Sequence, residues 1–294
     1  MRIIPDDIYY TEIDPYFNDW YAGAVMDNKI FYRFFFPDVA QPPLFGYRWN
    51  GYWYDNEAKP TTLDNLVRSV RDRKAVCFAK IAAGSSGGHG VEVIDGDSIS
   101  DSDIKEKILS MTGDLILQEG ITQSHVTASV NESSVNTIRV MTFLRKDGSV
   151  KACSAVLRMG LAGSRVDNAS SGGITVGIDM STGRLKAKAY SQTGKSYDSH
   201  PTSGVRFSDI VLPGFDRVLG LVKKQALNMP RFRLISWDIA LDETDEPILI
   251  EANLNAGELD FHQLNNGPIF GNETDAILKE ISDNPKTIRY QFYE

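Results

Sequence analysis

Apolar residues recur along the chain at two different spacings, and together these predict a mixed α and β architecture. Spacings of three and four residues, which place side chains on one face of a helix, occur at 62–73, 100–111, 215–228 and 274–281. Short apolar runs bounded by turn residues predict strands at 75–81, 91–94, 114–118, 136–144, 150–159, 174–179, 185–190, 233–241 and 247–252. Hairpin signals such as Asp147-Gly148 join neighbouring strands, so the predicted fold class is α+β.

The distribution of these elements predicts two α+β lobes preceded by a short segment. Length supports this division, because 294 residues is long for one compact domain and comfortable for lobes that share a cleft. The predicted ranges are a short aromatic-rich N-terminal segment at 1–60, a small lobe at 61–121 and a large lobe at 122–294.

Aromatic residues are concentrated in the N-terminal segment. Of the 30 Phe, Tyr and Trp residues (14, 12 and 4 of each), 17 precede residue 55. Aromatic side chains left in water promote association, so we expect this segment to pack on the body of the protein; contact with a second subunit or with a partner protein is the alternative. We expect a few of them, with Trp49 and Trp53 as candidates, to face a ligand cleft.

Charge and composition exclude several classes of protein. A net charge of −8 argues against a general nucleic-acid or anionic-membrane surface. The chain has no apolar stretch of transmembrane length, and its first ten residues lack the features of a signal peptide, so we expect a cytoplasmic protein without membrane insertion. Cys77 and Cys153 show no metal-type spacing and are expected to be buried, reduced thiols.

Two apolar strands near the C-terminus carry acidic and amide residues. Glu251 and Asn253 project to the same face of their strand, and an antiparallel partner can set Asp238 opposite them. Buried charges need a cationic partner, and carboxylate and amide oxygens are ligands that suit Mg²⁺. These three residues are therefore predicted to bind metal. The alternative is an exposed hairpin with solvated acids, which we accept for the turn at 242–246.

A glycine- and serine-rich loop follows Lys80 and separates two predicted strands. Glycines let backbone N–H groups approach an anion, serine hydroxyls add donors, and the lysine supplies a positive charge for phosphate. The pattern matches neither the P-loop nor the dinucleotide fingerprint, since a strand follows it instead of a helix. An ordinary hairpin turn is the alternative. The candidate phosphate-binding residues of the loop are Ser85, Ser86, Gly87, Gly88 and His89.

Arg139 and Arg158 stand in strands that are otherwise rich in apolar residues. An arginine that points inward implies an anionic partner, because its guanidinium stays charged and binds phosphate or carboxylate through two parallel hydrogen bonds. The alternative is an exposed strand face with solvated guanidinium groups. Asn168 lies in a polar loop that either closes over a ligand or is an inert surface turn.

The order of these parts along the chain resembles the ATP-grasp superfamily, in particular its sugar-transfer-associated branch, which is related to glutamate-ligase-like proteins. The resemblance covers roughly residues 25–265, and Glu251-x-Asn253 and the glycine loop are its most diagnostic parts. It implies an ATP-grasp fold in which ATP lies between the two lobes. The N-terminal domain usual in that superfamily is replaced here by about sixty aromatic-rich residues.

The resemblance also assigns roles to individual residues. Lys29 and Lys80 would contact phosphates, the glycine loop would cover them, and Arg158 would meet the γ-phosphate or an acyl phosphate, with Arg139 and Asn168 as further catalytic candidates. The adenine hinge would be formed by Gln118, Glu119 and Ile121, and Mg²⁺ would be held by Asp238, Glu251 and Asn253. The acid that usually holds the ribose hydroxyls is not evident after Glu119.

The function expected from the resemblance is an ATP- and Mg²⁺-dependent carboxylate–amine ligase that forms an acyl phosphate. Its substrates would be small or sugar-linked carboxylates and amines, such as a cell-surface polysaccharide precursor. Two alternatives stay open: a phosphotransferase on the same scaffold, and a non-catalytic nucleotide-binding partner of a glycosyltransferase. A homodimer is also compatible with the sequence.

Overall fold

The computed structural model describes residues 2–84, 90–161 and 172–285. Residues 2–36 form short helical pieces separated by turns. A π-helical turn at Tyr9–Ile13 joins the first two helices, and a 3₁₀ turn at Lys29–Phe31 precedes the fourth. The helices are α1 (Asp6–Ile8), α2 (Asp14–Phe17), α3 (Trp20–Met26) and α4 (Tyr32–Phe35).

A five-stranded antiparallel sheet with two helices on one face forms the small lobe. Its strand order is β2-β1-β5-β3-β4. Apolar side chains of both helices, including Leu66, Val70, Ile104 and Ile108, pack on that face. In chain order the elements are β1 (Leu44–Trp49), β2 (Tyr52–Asp55), α5 (Leu63–Arg73), β3 (Val76–Ile81), β4 (Val91–Asp95), α6 (Asp101–Ser110) and β5 (Leu115–Glu119).

A seven-stranded antiparallel sheet forms the centre of the large lobe, with strand order β10-β9-β8-β7-β6-β11-β12. Helix α8 packs on one face, beside the fully buried Trp237 and together with Tyr32 and Phe36 of the N-terminal segment; the first part of that segment, α9 and α10 cover the other face. The elements are α7 (His125–Val130), β6 (Thr137–Leu144), β7 (Val150–Met159), β8 (Ile174–Ile178), β9 (Leu185–Ser191), β10 (Ser196–Tyr197), α8 (Phe215–Leu227), β11 (Leu234–Leu241), β12 (Pro247–Asn253), α9 (Asp260–Asn266) and α10 (Thr274–Asp283).

The predicted strands and long helices are present, with ends that differ by one or two residues. The hairpin of β1 and β2 was missed, although its turn is Asn50-Gly51 with positive φ angles of 48° and 84°. This dipeptide suits a two-residue hairpin turn, but the aromatic run around it hides the alternation of a strand. β1 and β2 precede the predicted boundary at residue 60 and join the five-stranded sheet.

The N-terminal segment packs on the body of the protein, as its aromatic content predicts. Tyr9, Phe17, Tyr32 and Phe36 are all buried. The expectation for Trp53 is wrong, because its ring packs with the helix-side core of the small lobe. Trp53 of β2 pairs with Arg48 of β1, and paired residues project from the same face of a sheet. Both side chains therefore lie on the side of the small sheet that the helices cover.

Candidate functional site

The pairing of β11 with β12 brings the predicted metal ligands together. Asp238 lies directly opposite Glu251, and Ser236 lies opposite Asn253. Because paired residues share a face, the two carboxylates and the amide project from the same side of the sheet. This is the face that α9 and the N-terminal segment cover. The convergence inferred from the sequence is thus confirmed by the register.

Both carboxylate oxygens of Asp238 accept hydrogen bonds from arginines. Arg139 donates from Nε and Nη2, each at 2.6 Å, and Arg158 donates from Nη1 at 3.0 Å. Arg139 and Arg158 are 4% and 3% exposed, which rules out the solvated strand face considered above. Burial alone would raise the pKa of Asp238, but attraction to the two arginines outweighs it and lowers the pKa to about 2.

Two residues that the sequence did not single out complete this cluster. Glu258, in the loop after β12, forms an ion pair with Nη1 of Arg139, and half of its side chain is exposed. His262 of α9 is fully buried, and its Nδ1 lies 2.8 Å from Oγ of Ser154. Burial, and then the charge of Arg139, lower the pKa of His262 to about 3, so the imidazole is neutral. Glu258 precedes His262 by four residues and lies outside the short helix, so no sequence motif would have revealed either role.

Lys29 connects the two lobes across the cleft. Its Nζ lies 2.5 Å from Oε1 of Glu251 in the large lobe. Its backbone N–H donates to the carbonyl oxygen of Ala82 at 2.9 Å, at the end of β3 in the small lobe. Asp27 lies nearby, where burial, and then the charge of Glu251, raise its pKa to about 7. Asp27 is a further site residue that the sequence analysis missed.

Lys80 and Gln118 lie on the face of the small sheet opposite its helices. Nζ of Lys80 donates to Oε1 of Gln118 at 3.2 Å, and Gln118 is buried. Their strands pair so that Phe78 is opposite Gln118, which makes Lys80 its diagonal neighbour. The side chain of Gln118 is thus hydrogen-bonded to the predicted phosphate-binding lysine.

The predicted adenine hinge follows β5. The N–H of Glu119 donates to the carbonyl oxygen of Pro43, and the N–H of Gly120 donates to that of Val76, each at 2.8 Å. The carboxylate of Glu119 pairs with Arg73 at 3.4 Å. Both of these backbone donors are thus used within the small lobe.

Several predicted site residues cannot be placed. Ser85, Ser86, Gly87, Gly88, His89 and Asn168 lie outside the described residues. The two ends of the glycine loop are described: Gly84 and Gly90 have positive φ angles of 70° and 78°, and the carbonyl of Gly90 accepts from the N–H of Ile81 at 2.9 Å. The loop thus begins and ends beside Lys80, on paired strands.

The donor atoms at β11 and β12 suit a hard divalent cation. Nδ2 of Asn253 donates to the carbonyl oxygen of Ser236 at 3.0 Å, which directs this amide and leaves its Oδ1 for a metal. Across the described ranges no group of three His, Cys, Asp or Glu side chains lies close enough to hold a metal ion. Asp238 and Glu251 fit the ion by charge, and in this structure both are compensated by the protein's own cations.

Comparison with known proteins agrees with this architecture. Residues 13–279 match the family model described as sugar-transfer associated ATP-grasp. D-alanyl-alanine synthetase A from Vibrio cholerae O1 biovar eltor aligns with a TM-score of 0.51 and 12% identity, over 90% of this chain and 65% of that one. The biotin carboxylase domain of the Hydrogenobacter thermophilus 2-oxoglutarate carboxylase aligns with a TM-score of 0.49 and 14% identity, over 80% and 41%. No curated protein matches.

The chain spans less than two thirds of the length of these solved structures. At such identities the structural likeness establishes the fold, which is ATP-grasp. None of the helices in the described part of the chain is long and apolar enough to cross a membrane.

Proposed function

The chain belongs to the sugar-transfer associated ATP-grasp family, and from this premise we propose that it is an ATP- and Mg²⁺-dependent ligase joining a carboxylate to an amine through an acyl phosphate. The observation that carries the proposal is the position of Lys29. Its backbone is bonded to Ala82, next to the glycine loop, and its side chain to Glu251, within the acidic set. The candidate phosphate-binding and metal-binding residues therefore meet at one point of the cleft.

The proposed nucleotide site uses both lobes. Lys80 and Lys29 bind phosphate oxygens as point charges, and the backbone at Ile121 contacts adenine. Asp238, Glu251 and Asn253 would hold Mg²⁺, which when bound neutralises charge on the phosphates. Gln118 positions Lys80 through the hydrogen bond between their side chains.

The proposed reaction has two steps. A substrate carboxylate oxygen attacks the γ-phosphorus of ATP, the bond to the bridging oxygen of ADP breaks, and an acyl phosphate forms. An amine then attacks the acyl carbon, phosphate leaves with the electron pair of the broken C–O bond, and the nitrogen gives up a proton to the departing phosphate as the amide forms. In this proposal Arg139 and Arg158, which donate to Asp238 in the structure, release it in part and stabilise charge on the transferred phosphoryl group.

The substrate class follows from the family description alone. A uronic acid or an amino acid substituent on a polysaccharide precursor would supply the carboxylate or the amine, in the cytoplasm. A homodimer or a complex with a glycosyltransferase would be the setting for such an acceptor.

Nucleotide binding and acyl phosphate formation can be tested separately. Calorimetry with Mg–ATP should show tight binding to the wild type, at least about tenfold weaker binding to Lys80→Ala, and unchanged binding to Lys107→Ala, whose lysine pairs with Glu92 elsewhere on the small lobe. Equal losses for ATP and adenosine in Lys80→Ala would make that lysine structural.

Hydroxylamine then distinguishes the reaction classes. With ATP and a panel of uronic and amino acids, a ligase gives a hydroxamate, because hydroxylamine captures the acyl phosphate. A phosphorylated hydroxyl and no hydroxamate would establish a phosphotransferase. Absence of ATP turnover across the panel, with intact binding to a glycosyltransferase, would favour the non-catalytic alternative.

A further inference from the structure

The candidate metal ligands are occupied by the protein's own cations. Asp238 is bound by Arg139 and Arg158, and Glu251 is bound by Lys29. The side chains of Lys29 and Glu251 are 10% and 24% exposed, so their attraction is screened less by water than that of a surface pair. A divalent cation that arrives alone therefore meets carboxylates whose charge is already balanced.

The position of Lys29 is fixed by its backbone. Its N–H is bonded to the carbonyl oxygen of Ala82. The preceding residue, Asn28, is buried and caps the 3₁₀ turn, because its Oδ1 accepts from the N–H of Ile30 at 3.0 Å. The side chain can thus change partner by rotation while the main chain stays in place beside the start of the glycine loop.

We propose that Lys29 is an exchange residue: without nucleotide its ammonium neutralises Glu251, and it moves to a nucleotide phosphate when metal and nucleotide bind together. The inference rests on the proposed function, since it takes Glu251 as a metal ligand. Lys29 would then couple the binding of metal and nucleotide, because a nucleotide phosphate draws its ammonium away from Glu251, where the ammonium competes with the metal ion. Mg²⁺ alone should bind weakly, and metal and nucleotide should each strengthen the binding of the other by the same factor.

The direct test measures the binding of Mn²⁺ alone by calorimetry, as a probe for the divalent site. Lys29→Met leaves Glu251 and the neighbouring Asp27 without their lysine, so the Kd for Mn²⁺ should fall at least about tenfold, which corresponds to about 1.4 kcal/mol. Lys29→Arg keeps the charge and should retain the wild-type Kd. Lys80→Met is the matched control, because Lys80 donates to the amide of Gln118 instead of a carboxylate.

A second measurement keeps the test decisive if Lys29→Met is poorly stable. Its melting temperature should rise more with added Mn²⁺ than that of the wild type, because a ligand stabilises the folded state in proportion to its affinity. Adding Glu251→Gln to Lys29→Met should remove the gain. Equal Mn²⁺ responses in Lys29→Met and wild type, or an equal gain in Lys80→Met, would overturn the exchange.

Coupling provides the third readout and separates this inference from the proposed function. In the wild type, a saturating non-hydrolysable ATP analogue should tighten Mn²⁺ binding, and the factor should shrink in Lys29→Met. If wild-type protein binds no nucleotide, the proposed function fails. If it binds nucleotide and the factor is the same in both proteins, the ligase proposal stands and the exchange is wrong.

Discussion

At the scale of single residues, the contacts among the candidate site residues could not be predicted from the sequence. Asp238 was expected to point inward, and Arg139 and Arg158 either inward or toward solvent, and all three are buried. That they bind one another was not foreseen, because it depends on β11 and β7 flanking β6, and strand order cannot be read from hydrophobic spacing. Asp27, Glu258 and His262 escaped notice for the same reason.

The ion pairs change the expected effect of substitution at Asp238. From repulsion between unpaired acids one would expect Asp238→Asn to leave stability unchanged or raise it. Since the structure pairs Asp238 with two buried arginines, the loss of its charge should instead lower the free energy of unfolding by about 3–5 kcal/mol. Urea denaturation without ligand measures this.

Glu251→Gln is the comparison for that experiment. Its partner Lys29 is less deeply buried than the arginines, so the loss of stability should be clearly smaller. Both variants should reduce Mg²⁺-dependent ATP turnover at least about a hundredfold, as is usual when a charge-stabilising group is removed. Near wild-type turnover in either variant would remove that residue from the metal site.

Asp27 should make stability depend on pH. Burial, and then Glu251, raise its pKa from 3.8 to about 7, so the folded protein holds a proton that the unfolded chain releases. This contribution is complete below pH 4 and is lost as the pH rises toward 7. Relative to the wild type, Asp27→Asn should therefore be about 1–3 kcal/mol more stable at pH 8 than at pH 5.

Urea denaturation of both proteins at pH 5 and pH 8 measures this difference. Asp38→Asn, at an exposed position in the same segment, is the control and should leave the pH dependence of the wild type unchanged. An identical slope in Asp27→Asn and wild type would show that another group titrates.

At the scale of elements, α9 illustrates what hydrophobic spacing misses. The helix covers β7 and β8 on the arginine side of the sheet, yet its contacts are largely polar: Nδ2 of Asn266 donates to Ser154, and Nδ2 of Asn265 donates to Thr175. A short helix held by amides has no apolar stripe, so it was not predicted. In the described part of the chain, the four long helices and nine of the twelve strands, whose buried faces follow the period, were predicted, whereas β1, β2 and β10 were not.

Gly177 of β8 permits the close approach of α9. A Cβ at this position would lie 2.4 Å from Oδ1 of Asn266 and 3.2 Å from the carbonyl oxygen of Asn265. Gly177→Ala should therefore displace α9 and cost about 1–3 kcal/mol, the range for overpacking. Because α9 carries His262 against the arginine cluster, we also expect weaker nucleotide-dependent turnover.

Gly220 of α8 is the matched control for thermal denaturation. A Cβ there meets no atom within 4 Å. Gly220→Ala should consequently stabilise the protein by roughly 0.5–1 kcal/mol, the usual gain of alanine over glycine inside a helix. If Gly177→Ala is as stable as the wild type, α9 can shift to accommodate the added methyl group without loss of stability, and the prediction of overpacking is wrong.

At the scale of the whole molecule, the N-terminal segment belongs to both lobes. Its first part packs on the large sheet, through residues such as Ile13 and Phe17, and its last part supplies β1 and β2 to the small sheet. The sequence predicted that the segment packs on the body of the protein, because so many aromatic side chains are unfavourable in water. It did not predict that β1 lies between β2 and β5, since that pairing is long-range.

Deletion of residues 1–55 should give insoluble or molten protein. It removes an inner strand of the small sheet, exposes the edge of β5 and uncovers the apolar cluster around Phe143 and Phe270. Size-exclusion chromatography and near-ultraviolet circular dichroism measure the outcome. Deletion of Arg2 and Ile3, which removes one exposed ion pair, is the control and should stay folded. A soluble, monomeric, ATP-binding Δ1–55 protein would make the segment a docking arm.

The position of the N-terminal segment also determines when it can fold during synthesis on the ribosome. The backbone of Ile4 is bonded to the side chain of Gln263, across a separation of 259 residues. The surface on which the N-terminal aromatic side chains pack therefore exists only after almost the entire chain has been synthesised. The strands of the small lobe are synthesised earlier, so this lobe can form first. Contacts so distant in sequence form slowly, and exposed apolar surface aggregates in the meantime. In a nascent chain arrested before β11, we therefore expect the N-terminal segment to be bound by a chaperone.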